Sequence, residues 1–169
     1  TPVCLAAERL MNDGVVVVVA AGNDGYQKIS TERGIRENYT AITITDPGNA
    51  AGVITVGSTH REKPHQYGVS YFSSRGPTGD GRMKPDIVAP GEKIRSTAPG
   101  GKMLLMDGTS MAAPHVSGVC ALLMGRYPEL IGEPERIKQI LMRTATDLGR
   151  ERHFQGAGLV DALRALQSV

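Results

Sequence analysis

Residues 107–118 read DGTSMAAPHVSG, and this stretch decides the fold. A Gly-Thr pair leads into Ser110, and small residues follow it at the start of a long apolar segment. Small residues let a helix begin directly at the serine and pack deep in a core. Because free N–H groups at a helix N-terminus point towards developing negative charge, the pattern favours a serine that acts as a nucleophile.

A second informative stretch, residues 15–25, reads VVVVVAAGNDG. Five consecutive β-branched residues predict a strand that is buried on both faces, as in a parallel sheet. Asn23 follows at the carboxyl end of this strand, where open α/β sheets place their sites. Taken alone, Asn23 is better explained as an asparagine that tolerates a left-handed turn before Asp24 and Gly25.

Together the two stretches resemble the subtilisin-like serine proteases, whose nucleophile motif matches residues 107–118 over their whole length. The resemblance implies an α/β fold, part of a three-layer arrangement with a mainly parallel sheet flanked by helices. It implies that Ser110 is the nucleophile and that the Asn23 side chain donates to the oxyanion of the tetrahedral intermediate. The substrate-binding residues that it implies are Ala20, Ala21, Gly22 and Thr109.

A serine nucleophile needs a base and an acid that orients the base. In the family these come from an Asp-Thr/Ser-Gly turn and a His-Gly-Thr helix start, both upstream of the asparagine strand. Neither motif occurs in the 169 residues. We therefore expect residues 1–169 to be the C-terminal portion of one peptidase domain. The missing N-terminal half would be its partner, and the chain alone would be inactive.

The four histidines do not supply the base. His115 lies five residues after Ser110, which on a helix turns its side chain about 140° away from the serine. The resemblance implies that His115 is a buried structural residue. For His60, His65 and His153, a solvated or capping role is expected.

Composition is that of a soluble globular domain, with 40% hydrophobic and 21% charged residues. A net charge of +2 gives no reason to expect nucleic acid or a membrane surface as a partner. Cys4 and Cys120 fit small buried hydrophobes, and a disulfide between them stays open. No metal or cofactor motif is present. The resemblance allows calcium, bound through backbone carbonyls, in the complete enzyme.

The remaining sequence predicts alternating helices and strands. Residues 24–46 read as a long polar connection with a β-prone segment at 41–45. Apolar and small residues on nearly every side predict that the helix over 110–126 is buried all round. The other predicted elements are a helix over 1–14, a strand over 53–57, a hairpin over 94–106, a helix from 134 and a last amphipathic helix over 159–166.

The function expected for the complete protein is endopeptidase cleavage of peptide or protein substrates by Ser-His-Asp nucleophilic catalysis. The alternative is a pseudoprotease or protein-binding module that keeps the fold. Intact Ser110 and Asn23 favour the enzyme, because a binding module has no need for both. The resemblance further implies a secreted or cell-envelope location. An exposed apolar face of the half domain would favour homo-oligomers.

Overall fold

A three-stranded parallel sheet lies at the centre of the molecule. The computed structural model describes residues 1–32 and 34–169. Strands β1 (Val18–Ala20), β4 (Ile54–Thr59) and β5 (Ile87–Pro90) follow the order β1-β4-β5, and both pairs are parallel. Every residue of the central strand β4 is buried. The predicted α/β fold with a parallel sheet flanked by helices is confirmed.

Helices cover both faces of this sheet. On one face α3 (Thr109–Arg126) packs against all three strands, with α4 (Pro134–Thr144) and α6 (Ala162–Gln167) beside it. On the other face α1 (Pro2–Asn12) packs through Ala7 and Met11. The two faces each have their own apolar cluster, so the sheet lies between two helical layers.

Two antiparallel hairpins extend from this frame. The first pairs β2 (Tyr26–Thr31) with β3 (Gly34–Tyr39), and the second pairs β6 (Ile94–Ala98) with β7 (Lys102–Met106). The second confirms the predicted hairpin, with its turn at residues 99–101. The remaining elements are the short helices α2 (Pro64–Tyr67) and α5 (Arg152–Gln155) and a 3₁₀ helix, Pro128–Leu130.

The valine run is covered on both faces but is less buried than predicted. Val16 and Val18 pack towards α3, whereas Val17 and Val19 pack towards α1, as the alternation of a strand requires. The side chains of β1 are nevertheless only half-buried. The reason is that β1 is the last strand of the sheet among the described residues, so one of its edges has no neighbouring strand.

Two other predictions are wrong. Residues 24–46 contain the hairpin β2–β3, while the β-prone segment 41–45 is irregular. The Tyr26 and Tyr39 rings meet across this hairpin with centroids 5.1 Å apart, a contact that local propensity does not reveal. The last helix begins only after Asp161, whose side chain accepts the Arg164 N–H and caps it.

Helix α3 is not buried all round. Its Leu122 side chain is 55% exposed, and His115 is exposed as well. Helix α3 packs against the sheet through one face, which carries Val116, Leu123 and their buried neighbours.

A buried charge cluster links β4, β5 and α4. The Lys84 ammonium group donates to Val53 O at 2.9 Å, Thr55 Oγ1 at 2.8 Å and Asp86 Oδ2 at 2.6 Å. Lys138 lies 3.1 Å from the other oxygen of Asp86. The cluster therefore fixes the starts of two strands of the sheet to a helix.

Among the described residues, no helix is both long enough and apolar enough to cross a membrane.

Candidate active site

Ser110 lies in the first turn of α3, directly after Thr109, the first residue of the helix. Backbone N–H groups in a first helical turn lack acceptors within the helix, and the helix dipole favours negative charge there. Within the described residues neither the Ser110 hydroxyl nor its N–H has a hydrogen-bond partner. The side chain is exposed. The local fold thus presents a free hydroxyl beside a free donor.

Asn23 lies just beyond the end of β1, and Thr109 fixes its orientation. The Thr109 N–H donates to Asn23 Oδ1 at 3.0 Å, and the Thr109 hydroxyl donates to the same oxygen at 3.1 Å. The Thr109 hydroxyl also accepts the Gly22 N–H at 3.2 Å. Because both donors hold the oxygen of the Asn23 amide, its NH₂ group is directed elsewhere.

The Asn23 amide nitrogen and the Ser110 backbone nitrogen lie close to one common point beside Gly108. A Cβ atom built on Gly108 would lie 3.6 Å from Asn23 Nδ2 and 3.7 Å from Ser110 N. Gly108 leaves that point empty, and its φ of 151° is one that other residues rarely adopt. Two convergent donors beside a hydroxyl form the geometry of an oxyanion hole. The structure thus brings Asn23 and Ser110 together, while their catalytic roles stay a prediction.

A cleft of about 510 Å³ adjoins this point. Of the predicted substrate-binding residues, Ala20, Gly22 and Thr109 line the cleft. Ala21 does not: its side chain is fully buried, since successive side chains of a strand point to opposite faces. The Ala21 N–H donates to the Val56 carbonyl at 2.9 Å, and the Ala21 carbonyl accepts the Thr45 N–H at 3.0 Å. Ala21 is therefore a packing residue, which corrects the sequence prediction.

The rest of the cleft wall was missed by the sequence analysis. Val19 and Pro47 are apolar parts of the wall, and two acidic residues, Asp24 and Asp46, also line it. No lysine or arginine is among the described residues that line the cleft. Asp24 and Asp46 are 22 positions apart, so no local sequence pattern could have paired them.

A second cavity of about 500 Å³ also borders Ser110. It lies between the hairpin β6–β7 and α3, and Met111, Pro114 and His115 form its helical wall. His115 Nδ1 is 2.9 Å from Met111 O, so the ring engages the preceding turn of its own helix. His115 is exposed rather than buried, which corrects the predicted structural role.

None of the four histidines forms a hydrogen bond with Ser110 in the part of the chain that the structure describes. His60 accepts the backbone N–H groups of Glu62 and Lys63 at 3.2 Å each, so its ring is bonded within its own loop. His153 packs near Gly76, and its Nδ1 atom is buried. The base that Ser110 needs is not formed by these side chains.

No group of three or more His, Cys, Asp or Glu side chains could hold a metal ion in residues 1–32 and 34–169. A calcium ion bound through backbone carbonyls in the complete enzyme stays a prediction.

Comparisons with known proteins agree with this geometry. The model of the subtilase family matches residues 3–158. The chain is 34% identical to the serine protease AprX of Bacillus subtilis over 180 residues, which covers 95% of this chain and 37% of AprX. It is 33% identical to subtilisin DY of Bacillus licheniformis over 162 residues, covering 96% of this chain and 50% of the relative.

A solved protease structure from Pseudoalteromonas arctica superposes with a TM-score of 0.75 at 30% identity, covering 98% of this chain and 46% of the other. The chain thus spans half or less of the length of these relatives. The match covers nearly all of the chain, including the Ser110 and Asn23 segments. The chain belongs to the subtilase family.

Proposed function

We propose that the complete protein is a serine endopeptidase in which this chain supplies the nucleophile and the oxyanion hole. The observation that carries the proposal is that Asn23 Nδ2 and Ser110 N lie 3.6 and 3.7 Å from one point at Gly108, beside a cleft that both Asn23 and Ser110 line. A fold that needed only to bind a partner would have no reason to leave both donors free. The named relatives are serine proteases, which supports the same reaction.

In this mechanism the Ser110 oxygen attacks the carbonyl carbon of the scissile peptide bond. The proton of the hydroxyl passes to a histidine, and the carbonyl oxygen becomes an oxyanion that accepts hydrogen bonds from Asn23 and Ser110 N–H. The tetrahedral intermediate collapses when the histidine returns the proton to the leaving amine. Water then repeats the sequence and releases the acyl group from Ser110.

The base and the acid that orients it are proposed to come from a segment of the peptidase domain outside residues 1–169. Two observations support this. No histidine of the described chain is bonded to Ser110, and the chain spans only part of each relative. Peptide or protein substrates, a secreted or cell-envelope location and calcium binding belong to the same proposal and rest on the family resemblance.

The test is a substitution of Asn23 by aspartate in the complete protease. The new side chain keeps an oxygen for Thr109 but replaces the donor NH₂ with an acceptor. We expect kcat on a peptide substrate to fall by about 10²–10³-fold with little change in KM, the loss known for removal of this donor in a subtilisin, a member of the same family.

The matched control is Asn38→Asp, the same change at an exposed position of β3. It should leave kcat unchanged. If Asn23→Asp keeps full activity, the assignment of the oxyanion hole is wrong. If the unaltered complete protease cleaves no peptide, the alternative of a non-catalytic module with the same fold is favoured.

A further inference from the structure

The cleft beside Ser110 combines apolar walls with two acidic residues. Val19, Ala20 and Pro47 supply the apolar part, and Asp24 and Asp46 supply the charge. Lysine and arginine side chains have matching parts, a long aliphatic stem and a cationic head. The stem would contact the apolar wall while the head meets the carboxylates.

We infer that the cleft selects substrates with an arginine or lysine side chain at the residue whose carbonyl Ser110 attacks. The inference rests on the proposed endopeptidase function and names the substrate class of that same site. The cleft borders both Ser110 and Asn23, whereas the second cavity borders Ser110 but not Asn23, so the cleft is the better place for the side chain of the attacked residue. Its volume of about 510 Å³ accommodates a long side chain.

Asp24 is the main specificity residue in this assignment. It is adjacent in sequence to the oxyanion donor Asn23, and its side chain is exposed. Within the described residues its carboxylate has no hydrogen-bond or ion-pair partner. Only its backbone N–H is used, in a bond to Ser74 Oγ at 3.0 Å. A free carboxylate at this position is available to a cationic substrate.

Asp46 adds a second negative charge to the wall. Asn49 Nδ2 donates to Asp46 Oδ1 at 2.9 Å, and Cys4 Sγ lies 3.2 Å from the same oxygen. These contacts, that of Asn49 first, hold the pKa of Asp46 below its usual range. Asp46 is therefore ionised at neutral pH, but its partners reduce its freedom to contact a substrate. Its contribution should be smaller than that of Asp24.

The experiment compares peptide substrates that differ only at the attacked residue, with arginine, lysine, leucine or glutamate there, on the complete protease. We expect kcat/KM to be about tenfold or more higher for arginine and lysine than for leucine, and lowest for glutamate. Because the charges are exposed to solvent, added salt should reduce the ratio of arginine to leucine.

Variants assign the effect to the cleft. Asp24→Asn should lower kcat/KM for arginine by about tenfold and leave the value for leucine unchanged. The change is isosteric, and the carboxylate makes no contact in the described fold, so folding is retained. Asp46→Asn should have a smaller effect. Glu129→Gln, which removes an equal charge from an exposed site on the 3₁₀ helix, should have none.

Each outcome has a defined meaning. Leucine cleaved as fast as arginine, or an arginine preference that survives Asp24→Asn, overturns the inference and leaves the endopeptidase intact. If no substrate is cleaved and no phosphonate probe labels Ser110, the proposed function fails and the inference fails with it.

Discussion

At the scale of single residues, Thr109 determines how Asn23 can act. An asparagine side chain can present either its oxygen or its NH₂ group to a ligand. Two donors from Thr109 engage the oxygen, which leaves the NH₂ group for the oxyanion. Thr109 is thus a positioning residue: it lines the cleft, but its own hydroxyl is used within the protein.

Substitution of Thr109 tests this role. Thr109→Val removes the hydroxyl bonds to Asn23 and to the Gly22 N–H but keeps the shape and the backbone bond to Asn23, so we expect kcat of the complete protease to fall by about tenfold. Thr109→Ser keeps the hydroxyl and should restore most of the loss. Equal effects of the two variants on kcat would contradict the positioning role, since loss of the hydroxyl would then cost no more than loss of the methyl group.

The two cysteines differ in reactivity. Both are free thiols, which answers the question left open by the sequence. Burial raises the pKa of Cys120 to about 12, whereas Cys4 is partly exposed. Because the thiolate is the reactive form, alkylation of the native chain should modify Cys4 and spare Cys120. Mass spectrometry of peptides before and after unfolding in urea measures this, and native labelling of Cys120 would contradict its burial.

At the scale of elements, the sheet brings the site together. The parallel sheet places Asn23, which follows β1, beside the N-terminus of α3. Asn23 and Thr109 are hydrogen-bonded although they are 86 residues apart in the sequence. The sequence was sufficient to predict this, because residues 15–25 and 107–118 together resemble the subtilisin-like proteases. The hairpin over 94–106 was equally predictable from its Pro-Gly-Gly turn.

Other elements could not be predicted, for physical reasons. The hairpin β2–β3 depends on contacts between distant side chains, such as that of Tyr26 with Tyr39. Lysine is almost never fully buried, so nothing in the sequence indicated the position of Lys84. The carboxylates of Asp24 and Asp46 join one cleft only once the chain has folded.

The charge cluster of Asp86, Lys84 and Lys138 gives a test of the sheet's attachment to α4. Burial is the largest effect on Lys84 and lowers its pKa to about 8. The negative charge of Asp86 raises the pKa of Lys84 and offsets part of this shift. Asp86→Asn leaves two buried ammonium groups without a carboxylate. We expect the free energy of unfolding in urea to fall by about 3–5 kcal/mol.

The control for this prediction is Asp80→Asn. Asp80 pairs with Arg82 at 2.9 Å, but its side chain is 63% exposed. Solvent screens such a pair, so the unfolding midpoint should not change. An Asp86→Asn protein as stable as the parent would show that the buried cluster is not needed for the fold.

At the scale of the whole molecule, the described chain leaves apolar surface and a strand edge open. Leu104 and Leu105 of β7 are 50% and 62% exposed, and Leu122 of α3 is 55% exposed. The edge of β1 has no neighbouring strand among the described residues. Both features favour association with another surface.

We therefore expect the 169-residue chain alone to self-associate in sedimentation experiments at micromolar concentration. Replacing Leu104 and Leu105 by lysine should shift it towards the monomer. Ile35→Lys, a similar change on the other hairpin at a residue that is 71% exposed, should not. A monomer at high concentration would contradict this expectation and show that the exposed apolar surface of the chain needs no covering partner.

The central claim is that Ser110 is a nucleophile whose oxyanion donors lie in this chain and whose base lies outside it. A fluorophosphonate probe, which reacts only with an activated serine, tests this most directly. The complete protease should be labelled stoichiometrically at Ser110. Ser110→Ala should abolish the label, and Ser117→Ala, on the same helix, should not. The chain alone should stay unlabelled, because a general base contributes about 10²–10⁴-fold. Rapid labelling of Ser110 in the chain alone, or labelling of another residue in the complete protease, would contradict the account.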